Sequence, residues 1–211
     1  MRTIKGTITK DVLASITPDE AVEILKKGNE RFINNLKMHR DLLEQVNQTS
    51  DNQFPFAFIL SCMDSRTSSE LVFDQGLGDL LNCRIAGNVL NKDILGSMEF
   101  AVEVIGVKAI VIMGHTKCGA IKGACDDVKV GHLTKLLERI KPAIEEEKTV
   151  TENRTSSNEE FVEKVTRLHV FDVIRQVYKF SPIVSEAVKT GKVKLVGGMY
   201  DVETGKVDFY E

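Results

Sequence analysis

The stretch 56–61 (FAFILS) is an apolar run that ends in a polar loop, the pattern of a strand buried on both faces. Residues 80–85 form a second strand, and residues 108–113 (KAIVIM) a third, enriched in β-branched side chains. The stretch 93–105 between them reads as helix. Strand, helix, strand alternation at this spacing predicts a parallel α/β sheet with right-handed crossovers. Upstream, Thr17, Pro18, Asp19 and Glu20 combine capping-box spacing with proline at the first helical position. Ala21, Val22, Leu25 and Phe32 continue from them as an apolar stripe, so a helix is expected over 18–35, preceded by an arm, 1–16, with little local support.

Leu133, Leu136, Leu137, Ile140 and Ile144 repeat at helical spacing, as do Val162, Val165, His169, Val173 and Val177. Two amphipathic helices follow, separated by the polar stretch 148–160, which fits a surface loop. Residues 193–199 and 207–210, on either side of Glu203, Thr204 and Gly205, predict a terminal strand pair closed by a glycine turn. No internal repeat is present. The expected architecture is one α/β domain over 1–211: a central, mostly parallel sheet flanked by helices, with an N-terminal helical arm.

A chain of 211 residues, 42% hydrophobic and 28% charged, is the size of one domain with a sizeable core. A net charge of −3 supplies no basic field for nucleic acid. No apolar run approaches the roughly 20 residues that cross a bilayer, and residues 1–10 lack the apolar core of a signal peptide. A cytoplasmic protein without nucleic-acid or membrane partners is expected, although a leader could have been cleaved. The four cysteines, Cys62, Cys83, Cys118 and Cys125, are too few and too dispersed to staple a small secreted fold, which turns attention to thiolate or metal chemistry.

Cys62 stands just past the first strand, and His115 two residues past the third, with Cys118 in the same loop. In open parallel sheets, sites form outside the carboxyl ends of strands, where loops converge on a rigid frame. Neighbouring strands lie about 4.8 Å apart, close enough for Cys62 and His115 to share one tetrahedral ion that Cys118 then closes upon. Two thiolates and one imidazole favour zinc over the hard, oxygen-seeking calcium and magnesium. Three protein ligands leave one position open, as catalytic zinc sites do. The run from Gly114 to Gly119 has the length of a P-loop, but Ala120 stands where its lysine would be, and the zinc-deaminase spacing is absent.

At these residues the chain resembles the β-class carbonic anhydrases. Cys62, Met63, Asp64, Ser65 and Arg66 match their Cys-x-Asp-Ser-Arg motif, and His115, Thr116, Lys117, Cys118 and Gly119 match their His-x-x-Cys-Gly motif. Arg84, Ile85, Ala86, Gly87 and Asn88 are similar to a third family block, and the likeness runs from the helix near Pro18 to Gly198, Met199 and Tyr200. The resemblance implies one zinc per chain on Cys62, His115 and Cys118, and reversible hydration of carbon dioxide to bicarbonate by zinc-bound hydroxide. It implies a catalytic dyad in which Arg66 orients Asp64 toward that hydroxide, with Asp64 also able to swing onto zinc as a fourth ligand in an inactive state.

Gln53, nine residues before Cys62, matches the substrate-binding glutamine of the plant-like subtype. Ile59 occupies the position of the allosteric subtype's tryptophan, and Leu81, Ala86 and Phe100 match positions lining the apolar substrate pocket, Phe100 replacing a tyrosine of some relatives. The resemblance also implies a homodimer or homotetramer, with the cleft at a subunit interface and the region 1–35 laid on a partner. Hydrolysis of carbonyl sulfide or carbon disulfide is the nearest competing reaction. A non-catalytic zinc or redox-sensing module closed by Asp64 is the competitor from another class. Cys83 and Cys125 are expected to be buried thiols and His169, near Asp172, a core or interface histidine; His39 and His132 carry no assigned role.

Overall fold

The computed structural model describes residues 6–210. Its strands are β1 (Ala57–Ser61), β2 (Leu80–Arg84), β3 (Ala109–His115), β4 (Lys194–Tyr200) and β5 (Val207–Tyr210). They form one sheet in the order β2-β1-β3-β4-β5, with parallel pairing throughout except for the antiparallel β4–β5 edge. Helices α1 (Lys10–Ala14), α2 (Pro18–Ile33) and α3 (Leu42–Gln48) precede the sheet, and α4 (Ser69–Val72) and α5 (Lys92–Phe100) lie between its first strands. Then follow α6 (Gly119–Cys125), α7 (Gly131–Leu137), α8 (Lys141–Glu146), α9 (Glu159–Phe180) and α10 (Pro182–Lys189). This is the mostly parallel α/β sheet that the strand and helix pattern predicts.

Alternate side chains of the two central strands serve opposite faces, which is why those strands read as continuous apolar runs. Ile59, Val111 and Met113 pack with Ala21, Val22 and Leu25 of α2, whereas Phe58, Leu60, Ile110 and Ile112 pack with Val170, Val173 and Val177 of α9. The α2 start is as expected: Thr17 accepts from Glu20 N–H, and the Glu20 carboxylate accepts from Thr17 N–H. Its apolar stripe faces its own sheet. Asn29, buried in that helix, accepts from Val207 N–H and donates to the carbonyls of Val72 and Gly205, tying α2 to the β4–β5 turn.

Three local expectations are revised and one helix is added. The arm before Thr17 has its own support where described: Thr9 caps α1, and Ile8, Leu13 and Ile16 are buried in the α2-side core; residues 1–5 lie outside the described residues. β3 continues through Gly114 and His115, because β4 supplies partners in Met199 and Tyr200. The helix expected across Leu133 to Ile144 is split into α7, a 3₁₀ turn (Glu138–Ile140) and α8. Pro142, which lacks an N–H and crowds the preceding turn, stands at the start of α8. α10 follows from a signal that periodicity alone passes over, Ser181 capping Val184 N–H ahead of Pro182.

Close approach of α9 to the sheet needs glycine at one position on each of the neighbouring strands β3 and β4. A Cβ on Gly114 would stand 2.8 Å from Val170 Cγ2 and 3.2 Å from Thr166 Cγ2, and one on Gly197 would stand 2.9 Å from Val170 Cγ1. Gly114→Ala should therefore cost about 1–3 kcal/mol by overpacking. Combined with Val170→Ala it should cost less than the sum of the two single changes. Urea denaturation of the three variants measures this, and strict additivity would show that the two side chains do not meet.

Candidate metal centre

β1 lies between β2 and β3, with Ser61 opposite both Arg84 and Met113. The next residue along β1, Cys62, is therefore carried out at the same edge as His115, the last residue of β3. A left-handed turn at Lys117 (φ 56°) then returns the chain so that Cys118 precedes α6. The two sulfurs are 3.9 Å apart, and the ligating atoms of Cys62, His115 and Cys118 all lie within 4.8 Å of one another, all three residues being buried. Among the described residues this is the group of side chains suited to hold a metal ion.

The chemistry of the group fits zinc. His115 Nδ1–H donates to the carbonyl of Thr116 at 2.8 Å, leaving Nε2 as the bare lone pair. That Nε2 is buried with no hydrogen-bond partner among the described residues. A buried acceptor is costly to leave unmet, and a cation against it and two sulfurs would satisfy it. The hydrogen bond from Cys118 holds Cys62 well below the usual thiol range against the opposing effect of burial, with further help from backbone N–H groups including that of Gly87. Cys118 moves up, because its proton is the one shared with Cys62 and because it is buried. The metal-free pair therefore holds one thiolate, and a metal completes the second deprotonation.

The loop carrying Cys62 is fixed by residues outside the ligand set. Thr67, fully buried, places its hydroxyl 2.9 Å from the carbonyl oxygens of both Cys62 and Asp64. Arg84 donates from Nε to the Cys62 carbonyl and from Nη2 to that of Asp64. Asp64 faces Arg66 in a two-point pair, Nε to Oδ1 at 2.9 Å and Nη2 to Oδ2 at 2.8 Å, with its Oδ2 3.9 Å from His115 Nε2. The guanidinium hydrogen bonds hold the Asp64 carboxyl well below the usual carboxylate range. Asp64 is thus ionised, beside the centre and turned toward its arginine.

Other expected site residues are distributed differently. Ala86 adjoins the centre, since the neighbouring Gly87 N–H donates to Cys62 Sγ at 3.3 Å. Leu81 pairs with Phe58, four residues before Cys62 along the strand. Gln53 is exposed and precedes the amino end of β1, so a strand's length of about 17 Å separates it from Cys62 within one chain. Phe100, 51% exposed, ends α5 ahead of β3. Cys83 and Cys125 are only partly buried, Cys83 because β2 is an edge strand and Cys125 because it ends a surface helix. His169 is buried as expected, but its partner is the Gly87 carbonyl, with Asp172 acting only through its charge. Thr67 was not legible as a functional residue; Arg84 and Gly87 were visible only as members of the third motif block.

The carbonic anhydrase family model matches residues 57–207. Carbonic anhydrase 2 of Mycobacterium tuberculosis is 32% identical over 200 residues, covering 92% of this chain and 93% of the relative. A carbonic anhydrase of Mycolicibacterium smegmatis is 33% identical over 197 residues, 90% of this chain and 92% of the relative. Among solved structures, a β-carbonic anhydrase of Aspergillus fumigatus superposes with a TM-score of 0.71 at 26% identity, over 80% of this chain and 81% of the other. A tetrameric β-carbonic anhydrase of Sordaria macrospora shares the fold at 24% identity and a TM-score of 0.68, over 79% of this chain and 89% of the other.

A lowered thiol pKa means that thiolate is present at neutrality and disappears only as pH falls. In reduced, metal-free protein, ultraviolet thiolate absorbance should persist well below the ordinary thiol range near pH 8.5. Cys62→Ser should abolish it. A first thiolate appearing only above pH 8 would refute the shared-proton pair.

Proposed function

The chain belongs to the β class of the carbonic anhydrase family, and on that footing we propose that Cys62, His115 and Cys118 hold one zinc ion per chain, at which carbon dioxide is reversibly hydrated to bicarbonate and a proton. The observation that carries this reading is the buried, unpartnered Nε2 of His115 facing two cysteine sulfurs. Zinc bound there supplies a Lewis acid that lowers the pKa of a water and so makes a nucleophile available near neutral pH. The remaining contributions are the chain's own. His115 is held in one tautomer by Thr116, and Thr67 and Arg84 keep the Cys62 loop from drifting.

Asp64 is the residue proposed to orient the attacking oxygen. As a carboxylate it only accepts, so it takes a hydrogen bond from the nucleophile's O–H and leaves a lone pair directed at carbon dioxide. Its two-point pair with Arg66 aims it and opposes a swing onto the metal, which would close the site in an inactive form. This arrangement favours an open catalytic site over a purely structural one in which Asp64 is a permanent ligand.

Substrate contacts require a second copy. Ala86 is in place within one chain and Leu81 packs against the α9-side core of its own sheet, whereas Gln53 and Phe100 lie away from the centre and would reach one only across an interface. The exposure of Gln53 and Phe100 supports a homo-oligomer, dimer or tetramer, with the cleft between subunits, in line with the tetrameric Sordaria macrospora relative. Ile59, buried in the core, is consistent with the plant-like, non-allosteric subtype. Reliance on reduced thiols supports a cytoplasmic location.

Carbon dioxide hydration followed by stopped flow, before and after chelation and zinc return, tests the activity. Cys62→Ser should lose zinc and turnover together; stoichiometric zinc with full turnover in that variant would overturn the ligand assignment. Gln53→Ala should keep zinc but weaken catalysis by an amount on the order of 1–3 kcal/mol, the value of one buried hydrogen bond. Dissociating and reassociating Gln53→Ala with Cys62→Ser protein should restore activity, because each hybrid pairs a zinc-bearing subunit with an intact glutamine. Hybrids no more active than the separate variants would exclude a glutamine shared across subunits.

A further inference from the structure

A path of two hydrogen bonds joins the long helix α9 to one ligand of the metal centre. His169, 1% exposed, lies with Nε2 2.9 Å from the carbonyl oxygen of Gly87. A carbonyl only accepts, so Nε2 carries the proton. Nδ1 is buried without a partner among the described residues, and burial pushes the imidazole pKa down, which keeps the ring neutral. Gly87 in turn donates its N–H to Cys62 Sγ at 3.3 Å. Gly87 has φ 66°, and a Cβ there would stand 3.1 Å from both Ala120 Cβ and Ile140 Cδ1. The turn Ala86–Asn88 is thus a closely packed segment, open to glycine at its centre, closed on one side by α6 and the 3₁₀ turn before α8 and held to α9 by the His169 hydrogen bond.

We propose that His169 is a positioning residue for the metal centre: by donating to the Gly87 carbonyl it holds the turn that aims the Gly87 N–H at Cys62 Sγ, and so sets how much charge that sulfur gives the metal. The inference rests on the reading of Cys62 as a zinc ligand and extends it to a residue 82 positions from Gly87. An N–H bonded to a metal thiolate withdraws charge from sulfur, lowering the energy of its donor electrons. Without the grip of His169 the turn relaxes, the N–H turns away, and the sulfur becomes a better donor in a less defined place. Outer partners of metal ligands typically govern affinity by 10–100-fold. A histidine that merely filled space would affect stability and leave the metal's electronic surroundings alone.

Cobalt(II), substituted for zinc in the full-length protein, reports on this through its sulfur-to-metal charge-transfer absorption. Three variants discriminate: His169→Phe removes the donor, His169→Gln places an amide N–H near the Nε2 position, and His169→Asn places one near Nδ1, short of Gly87. His169→Gln should keep the wild-type band position and zinc affinity, measured by competition with a chromophoric chelator. His169→Phe and His169→Asn should shift the band to lower energy and bind zinc about tenfold or more weakly. Unchanged band positions and affinities in both, whatever happens to the melting temperature, would overturn the proposal. If His169→Phe does not fold, the Gln and Asn variants decide it, and identical spectra and affinities in that pair would overturn it as well. A wild-type protein without charge-transfer bands would overturn the ligand reading and this inference with it; wild-type bands that no variant moves would overturn the inference alone.

Discussion

The register of β1 against β3 is the constraint on which the rest depends. With Ser61 opposite Met113, Cys62 and His115 emerge at one edge of the sheet. A slip of one residue would turn Phe58 and Leu60 to the α2 side and Ile59 to the α9 side, exchanging large apolar groups between two filled layers. The apolar packing on both faces therefore fixes the position of a thiol and an imidazole that take no part in most of that packing. Gly114 and Gly197 serve the same end, since they let α9 come down on β3 and β4 and carry His169 to the level of Gly87.

Around the centre, polarity is arranged in shells. Cys62, His115 and Cys118 are buried, and the lone pair of His115 Nε2, without a hydrogen-bond partner among the described residues, is one that a cation would meet. Four nearby backbone groups are engaged: the carbonyls of Cys62 and Asp64 take hydrogen bonds from Thr67 and Arg84, the Gly87 N–H goes to sulfur, and the Gly87 carbonyl goes to His169. Such pairing matters in low dielectric, where an unmet backbone group would pull the loop toward other partners. The more solvent-exposed Asp64–Arg66 pair is held by two-point geometry, which fixes direction better than a single contact would.

Strand direction bears on the proposed sharing of the site between two copies. The residues suited to hold a metal and those that brace them are gathered at the carboxyl edge of one sheet, whereas Gln53 and Phe100 sit before the amino ends of their strands. A parallel sheet cannot bring its two edges together, so a site using both must draw them from two copies. Catalytic competence and assembly are on this reading the same event.

Much of this was legible in the amino-acid sequence. The apolar runs at 56–61 and 108–113, the capping box at Thr17 and the valine repeat of α9 are governed by short-range preferences, and all four appear as elements in the structure. The gathering of Cys62, His115 and Cys118 at one edge was legible for a related reason, because strand ends can be located from periodicity and the edge follows from parallel pairing. What only the tertiary structure decided depends on partners distant in the chain. β3 runs on to His115 because β4 pairs with it, residues 6–16 pack before Thr17 because the α2-side core accepts Ile8, Leu13 and Ile16, and His169 finds an acceptor 82 residues away. No local pattern encodes those outcomes, since each is settled by which buried group is left over once the sheet and helices have packed.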